Sequence, residues 1–158
     1  MDTTQAWSII TFFGNTSTII VLCIVGFFVV VVHKRYRIEY SAVLISSLVS
    51  GLIVQVLKET FKVPRPTDAL IELGSYSFPS GHSSIAFAFY FLIWLLVRKS
   101  VPWYGHLILL GLTVLIPLSR LALHVHRPFE VIAGSILGLV IASAVYVIFF
   151  MYTQRQKS

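Results

Sequence analysis

The stretch FEVIAGSILGLVIASAVYVIFFMY, residues 129–152, carries a single charged residue, Glu130, and runs into the polar tail Thr153 to Ser158. A transmembrane helix needs about 20 predominantly apolar residues, and this run supplies them with its charge at one edge. Gly134, Gly138 and Ala142 recur every four residues, a stripe of small side chains that lets a neighbouring helix approach closely. Four further apolar runs precede it: Thr16 to Val32, Tyr40 to Phe61, Ser83 to Val97 and Trp103 to Leu123. The run from Ser83 is short and is expected to borrow a turn from His82 or from a snorkelling Arg98.

Composition supports the same reading. The 158 residues are 57% hydrophobic and only 11% charged, with a mean hydropathy of +0.88. A soluble domain carries about 25% charged residues, so a soluble globule and a disordered chain are both excluded. The net charge of +6 does not point to nucleic acid, because the basic residues sit in short clusters between apolar runs, as at membrane surfaces. Cys23 is the one cysteine, so no internal disulfide forms. The predicted fold is all-α: an integral membrane bundle of about five transmembrane helices. Trp7, Ile10 and Phe13 lie three apart and suggest an N-terminal interfacial helix. Asp2 is the only charge in the first 13 residues, so a cleaved signal peptide is not expected.

Five alternating spans divide the basic residues between two surfaces. One receives Lys34, Arg35, Arg37, Arg98, Lys99, Arg155 and Lys157; the other receives Lys58, Lys62, Arg65, Arg120 and Arg127. This bias makes the first surface cytoplasmic, and it sharpens if Lys58, Arg65 and Arg120 serve a site rather than anchorage. The second surface then faces the periplasm or exterior. The loop Lys62 to Gly81, with Pro64, Pro66, Gly74 and Pro79, lies there, and a connection of that length is expected to be functional.

The unusual polar residues gather on that same surface. Lys58, Arg65 and Arg120 are fixed cations without an equal number of acidic partners, and arginine suits bidentate contact with a phosphate. Pro64 and Pro66 restrict the backbone around Arg65. Ser80-Gly81-His82 falls at a helix start, where free backbone N–H groups attract anions and Gly81 permits close approach. Taken singly, Lys58 and Arg65 are ordinary anchors and Ser80 an ordinary N-cap; their joint occurrence on one face is not explained that way. Two histidines in a cationic pocket can divide a hydrolysis. One attacks phosphorus as neutral imidazole and the other protonates the leaving alkoxide. Glu130 lies four residues after His126, within reach across one helical turn, which makes His126 the candidate nucleophile and His82 the candidate acid. His124 is expected to line the pocket rather than bind metal, since no third ligand has suitable spacing. His33 and His106 are expected to be ordinary residues of the cytoplasmic interface.

Lys58 with Arg65-Pro66, then Pro79-Ser80-Gly81-His82, then Ser119-Arg120 with His126, resembles the three motifs of the type 2 phosphatidic acid phosphatase family. Its helical core and phosphate site are shared with vanadium haloperoxidases. The resemblance covers Lys58 to Glu130 and, with the flanking helices, most of the chain, read as one membrane-embedded lipid phosphatase domain, 1–158. It implies hydrolysis of a lipid phosphate or diphosphate with neither metal nor cofactor. Phosphate binding falls to Lys58, Arg65, Ser80, Gly81 and Arg120, acid catalysis to His82, and nucleophilic attack to His126. The implied partners are the bilayer and a lipid phosphate such as undecaprenyl diphosphate, phosphatidylglycerophosphate, phosphatidic acid or lipid A phosphate, without nucleic acid. The implied location is a bacterial cytoplasmic membrane with the site facing outward. Two departures stand out. The family usually has Asp where this chain has Glu130, which moves the carboxylate by roughly one bond length: either activity is lower, down to an inactive homologue, or the helix start, where Pro128 suits the first turn, is adjusted to it. Membrane members often have six spans against five here, the missing one preceding the motifs, which leaves an apolar face that a second copy would cover in a homo-oligomer. A phosphotransferase using the same phosphohistidine is the alternative reading.

Overall fold

Each apolar run becomes a helix. The computed structural model describes residues 3–71 and 74–156, and no strand occurs among them; Asp2 and Lys157, used above, lie outside the described residues. In chain order the helices are α1 (Thr3–Phe12), α2 (Thr16–Val32), α3 (Arg37–Phe61), α4 (Gly81–Val97), α5 (Trp103–Ala122) and α6 (Pro128–Arg155). A 3₁₀ turn, Lys34–Tyr36, leads into α3. With that turn included, α3, and likewise α5 and α6, are long and apolar enough to cross a membrane. Helices α2 and α4 are shorter, α2 having 17 residues, near the lower limit of about 17. Helices α1 and α2 meet at a bend of 44° and together also meet the criteria for a span. The structure therefore has a helix at each of the five expected positions and another at the N-terminus.

Helix α4 is the hub, packed against α3, α5 and α6, whereas α2 leans mainly on α3. Two glycines explain how closely α6 approaches the hub. A Cβ on Gly134 would stand 2.3 Å from the Ser80 carbonyl oxygen, and one on Gly138 would stand 2.1 Å from that of Ser84. Neither contact is sterically possible, so the small-residue stripe sets the helix spacing. Midway, Ala86–Phe91 widens into a π-helical turn. Such turns disturb the regular carbonyl partnering of a helix, and Ser46 of α3 donates its hydroxyl to the Ala88 carbonyl at 2.7 Å. Ser50 and Ser84 hydroxyls pair at 2.8 Å one turn nearer the site. The apolar centre around these ties includes Val43, Ala86, Phe89, Leu92, Ile116 and Ala142. The C-terminal ends of α3 and α5 and the N-terminal ends of α4 and α6 thus meet at one face, joined there by the turn between α1 and α2.

Candidate functional site

Helix α6 begins at Pro128, a residue suited to the first helical position because its missing N–H would be unpaired there. Glu130 follows in the first turn, where the helix dipole favours a negative charge. Its carboxylate is fully buried and fully used. Oε2 accepts the Arg127 backbone N–H at 3.1 Å and stands 2.9 Å from His126 Nδ1. Oε1 accepts the Ser77 hydroxyl at 2.9 Å. Ser77 itself is fixed by its backbone N–H, donated to the Val63 carbonyl at 2.9 Å. A buried carboxylate with three partners holds one position, and it turns His126 so that Nε2 is the ring nitrogen left for chemistry.

The cations converge on that nitrogen. Arg65 Nη1 lies 3.4 Å from His126 Nε2 and donates to the Val125 carbonyl at 3.0 Å. Its Nε donates to the Ser75 carbonyl at 2.8 Å and its Nη2 to the Ser75 hydroxyl at 3.1 Å. Lys58, in the last turn of α3, is buried and donates to the Tyr76 carbonyl. Burial first, and then the charges of Arg65, Arg120 and Lys58, hold the His126 imidazole well below the usual histidine range. It is therefore neutral, the state a nucleophile requires.

Arg120 ends α5 with 1% of its surface exposed. Its Nη1 donates to the Thr11 hydroxyl, while Nε and Nη2 find no hydrogen-bond partner among the described residues. Leaving two guanidinium donors buried and unpaired costs free energy unless an anion takes them up. Ser80 caps α4, its hydroxyl oxygen accepting from the Ser83 hydroxyl at 2.9 Å. Gly81 lines a groove, and a Cβ there would meet Val54 Cγ1 at 3.4 Å. His82 Nε2 lies 2.8 Å from Asn15 Oδ1.

Two cavities share His126. A groove of about 850 Å³ runs between α2 and α3, from Phe27, Phe28 and Tyr40 at one end to Lys58, His82 and His126 at the other. From Tyr40 to Lys58, α3 rises about 27 Å, close to the thickness of a bilayer's hydrocarbon core. A second cavity of about 380 Å³ is lined by His126 together with Pro66, Asp68, His124 and Arg127. His124, at φ 53°, pairs there with Asp68 at 3.0 Å, and no group of three or more His, Cys, Asp or Glu among the described residues is placed to hold a metal ion. On the opposite face His106 accepts the Trp94 indole N–H at 2.9 Å, so it ties α4 to α5.

Lys58, Arg65, Ser80, Gly81, His82, Arg120, His126 and Glu130 are thus brought to one face around the end of the groove. Sequence reasoning missed Ser77, Thr11 and Asn15. For Ser77 the only available signal was its place two residues before Pro79. For Thr11 and Asn15 there was none, since both lie far from the motifs in sequence.

A family model described as the PAP2 superfamily matches residues 39–154. Probable lipid phosphate phosphatase 4 of Arabidopsis thaliana is 30% identical over 175 residues, covering 84% of this chain and 57% of that protein. Phosphatidylglycerophosphatase B of Bacillus subtilis is 36% identical over 97 residues, covering 57% and 48% respectively. The chain thus spans about half the length of these two curated relatives. Among solved structures it superimposes on a transmembrane PAP2-type phosphatidylglycerolphosphate phosphatase from Bacillus subtilis with a TM-score of 0.80 at 28% identity, over 92% of this chain and 75% of that one. Aquifex aeolicus LpxE shares the fold, with a TM-score of 0.72 at 22% identity over 90% of this chain and 84% of that one.

Proposed function

The chain belongs to the PAP2 superfamily, and from that premise we propose that it hydrolyses a lipid phosphate or diphosphate through a phosphohistidine at the outer face of a bacterial cytoplasmic membrane. The observation that carries the reading is the buried His126–Glu130 pair at 2.9 Å, set among Lys58, Arg65 and an Arg120 with two unpaired donors. In the first step His126 Nε2 attacks phosphorus, the P–O bond to the lipid breaks, and the departing oxygen takes a proton from His82. Glu130 stabilises the positive charge that grows on the attacking imidazole. In the second step His82 takes a proton from water, whose oxygen attacks phosphorus, and the P–N bond breaks to restore His126 and release phosphate. Lys58, Arg65, Ser80, Gly81 and Arg120 hold the phosphoryl oxygens as charge develops on them.

The groove between α2 and α3 suits the lipid's hydrocarbon chain, since its walls are apolar over most of the membrane's depth while its end carries the cations. The test is phosphate release from undecaprenyl diphosphate, phosphatidylglycerophosphate, phosphatidic acid and lipid A, without added metal and with vanadate as competitor. Hydrolysis of at least one, inhibited by vanadate and abolished in His126→Ala, is expected. Wild-type release by His126→Ala refutes the nucleophile. Label passing to a lipid alcohol without free phosphate would make the enzyme a transferase.

A further inference from the structure

The N-cap of α2 is Asn15, a residue favoured there because its side chain usually accepts a backbone N–H of the first turn. Here it makes no such bond. Its Oδ1 instead lies 2.8 Å from His82 Nε2, across 67 positions of sequence. The turn that carries it is tightly seated. Thr11, 6% exposed, accepts a hydrogen bond from Arg120 Nη1, and the Phe13 carbonyl accepts the Tyr90 hydroxyl at 2.8 Å. Gly14 presses against the same histidine: a Cβ there would stand 2.9 Å from His82 Cδ2 and 2.6 Å from Ile116 Cγ2. Thr11, Phe13, Gly14 and Asn15 all precede the segment 39–154 matched by the family model.

We propose that the turn Thr11–Asn15 is a positioning element of the active site, in which Asn15 aims the acid His82 and Thr11 aims Arg120. The proposal rests on the reading of His82 as the acid in lipid phosphate hydrolysis. As an acid, once the negative charge of a bound phosphate offsets the neighbouring cations, the imidazole carries a proton on both nitrogens, so both are donors, and Asn15 must present its carbonyl oxygen. With Nε2–H held by Asn15, Nδ1–H is the proton delivered to the leaving oxygen as the P–O bond breaks. The ring ends neutral with Nε2–H still on Asn15, and Nδ1 is ready to take the proton of the attacking water. A neutral amide performs this task without the charge that Glu130 supplies to His126.

The experiment is a leaving-group comparison. An alkyl lipid phosphate needs the acid, whereas p-nitrophenyl phosphate, with a stable phenolate, needs it little. Asn15→Ser keeps a good N-cap but is too short to reach His82. Because His82 also takes the proton of water in the second step, common to both substrates, the first step is read alone, as single-turnover release of the lipid alcohol or of nitrophenolate. Its rate in Asn15→Ser should fall about 10- to 100-fold on the lipid and less than about three-fold on the aryl phosphate, with substrate binding nearly unchanged. Asn15→Asp, which keeps the oxygen acceptor but adds a charge that holds the proton on His82, should recover only part of the lost first-step rate on the lipid. Thr11→Val should raise KM on both substrates alike. Equal losses of the first-step rate on both substrates in Asn15→Ser, or no loss on either, overturn the proposal. His82→Ala separates the two readings: if it lacks the same selective loss on the lipid, the acid assignment itself has failed.

Discussion

The two histidines of the site are oriented in opposite ways. His126, just ahead of α6, is held by a charged partner four residues on, in the first turn of that helix, within a network of buried Glu130, buried Ser77 and the Arg127 backbone. His82 is held by a neutral amide from another helix, 67 residues earlier. The proposed chemistry would explain the contrast. A nucleophile that becomes cationic on attack gains from a fixed carboxylate. An acid that must give up its proton gains direction from an amide oxygen without being locked in its charged form. The two regions also depend on different parts of the chain. The His126 network lies within a single stretch, Val63 to Glu130, whereas the His82 contact needs the α1–α2 turn to dock on α4 and α5.

Removing the charge from one side of this contrast should have the largest effect. Glu130→Gln retains the volume but not the charge, and should lower kcat by about two to four orders of magnitude. Single-turnover measurement of phosphate release will read it, and a rate within three-fold of wild type would mean that Glu130 does not stabilise the His126 cation. The pH profile sharpens the comparison next. Because burial and the neighbouring cations lower the His126 pKa, the nucleophile stays neutral as pH falls through the ordinary histidine value of about 6.5. The acid limb of kcat/KM, corrected for the ionisation of the substrate, should therefore fall below that value; a limb at or above it contradicts the assigned state. The same sign holds for stability. The unfolded chain takes up a proton at His126 that the fold resists, so this stabilising contribution is complete above about pH 6.5 and declines as pH falls below it. Ser77→Ala should have the smallest effect. It removes one neutral-to-charged hydrogen bond while leaving His126 and Arg127 on the carboxylate, and should reduce kcat about five-fold.

Much of this was legible in the sequence because it is local. The helical positions followed from apolar runs, the close α4–α6 contact from glycines four residues apart, and the His126–Glu130 pair from its spacing of one turn. Glutamate at position 130, read as a departure that favours lower activity, reaches His126 Nδ1 at an ordinary 2.9 Å because Ser77 and the Arg127 backbone draw its carboxylate into place. Ser77, Thr11 and Asn15 were not legible because each acts across 53 positions or more, and a hydroxyl or amide has no distinguishing pattern until the fold brings its partner to it. The π-helical turn at Ala86–Phe91 is of the same kind. Its sequence is an ordinary apolar run, and the hydroxyl that partners its Ala88 carbonyl belongs to α3.

Because His126 lines both the apolar groove and a second cavity walled by Asp68, His124 and Arg127, the products of the proposed hydrolysis would leave into different phases. The dephosphorylated lipid would slide sideways into the bilayer and inorganic phosphate would diffuse into water. Resynthesis would require both to return to one nitrogen atom from separate reservoirs, each diluted independently. Dilution into two phases would then drive the reaction forward, and the protein would need no moving part to prevent its reversal.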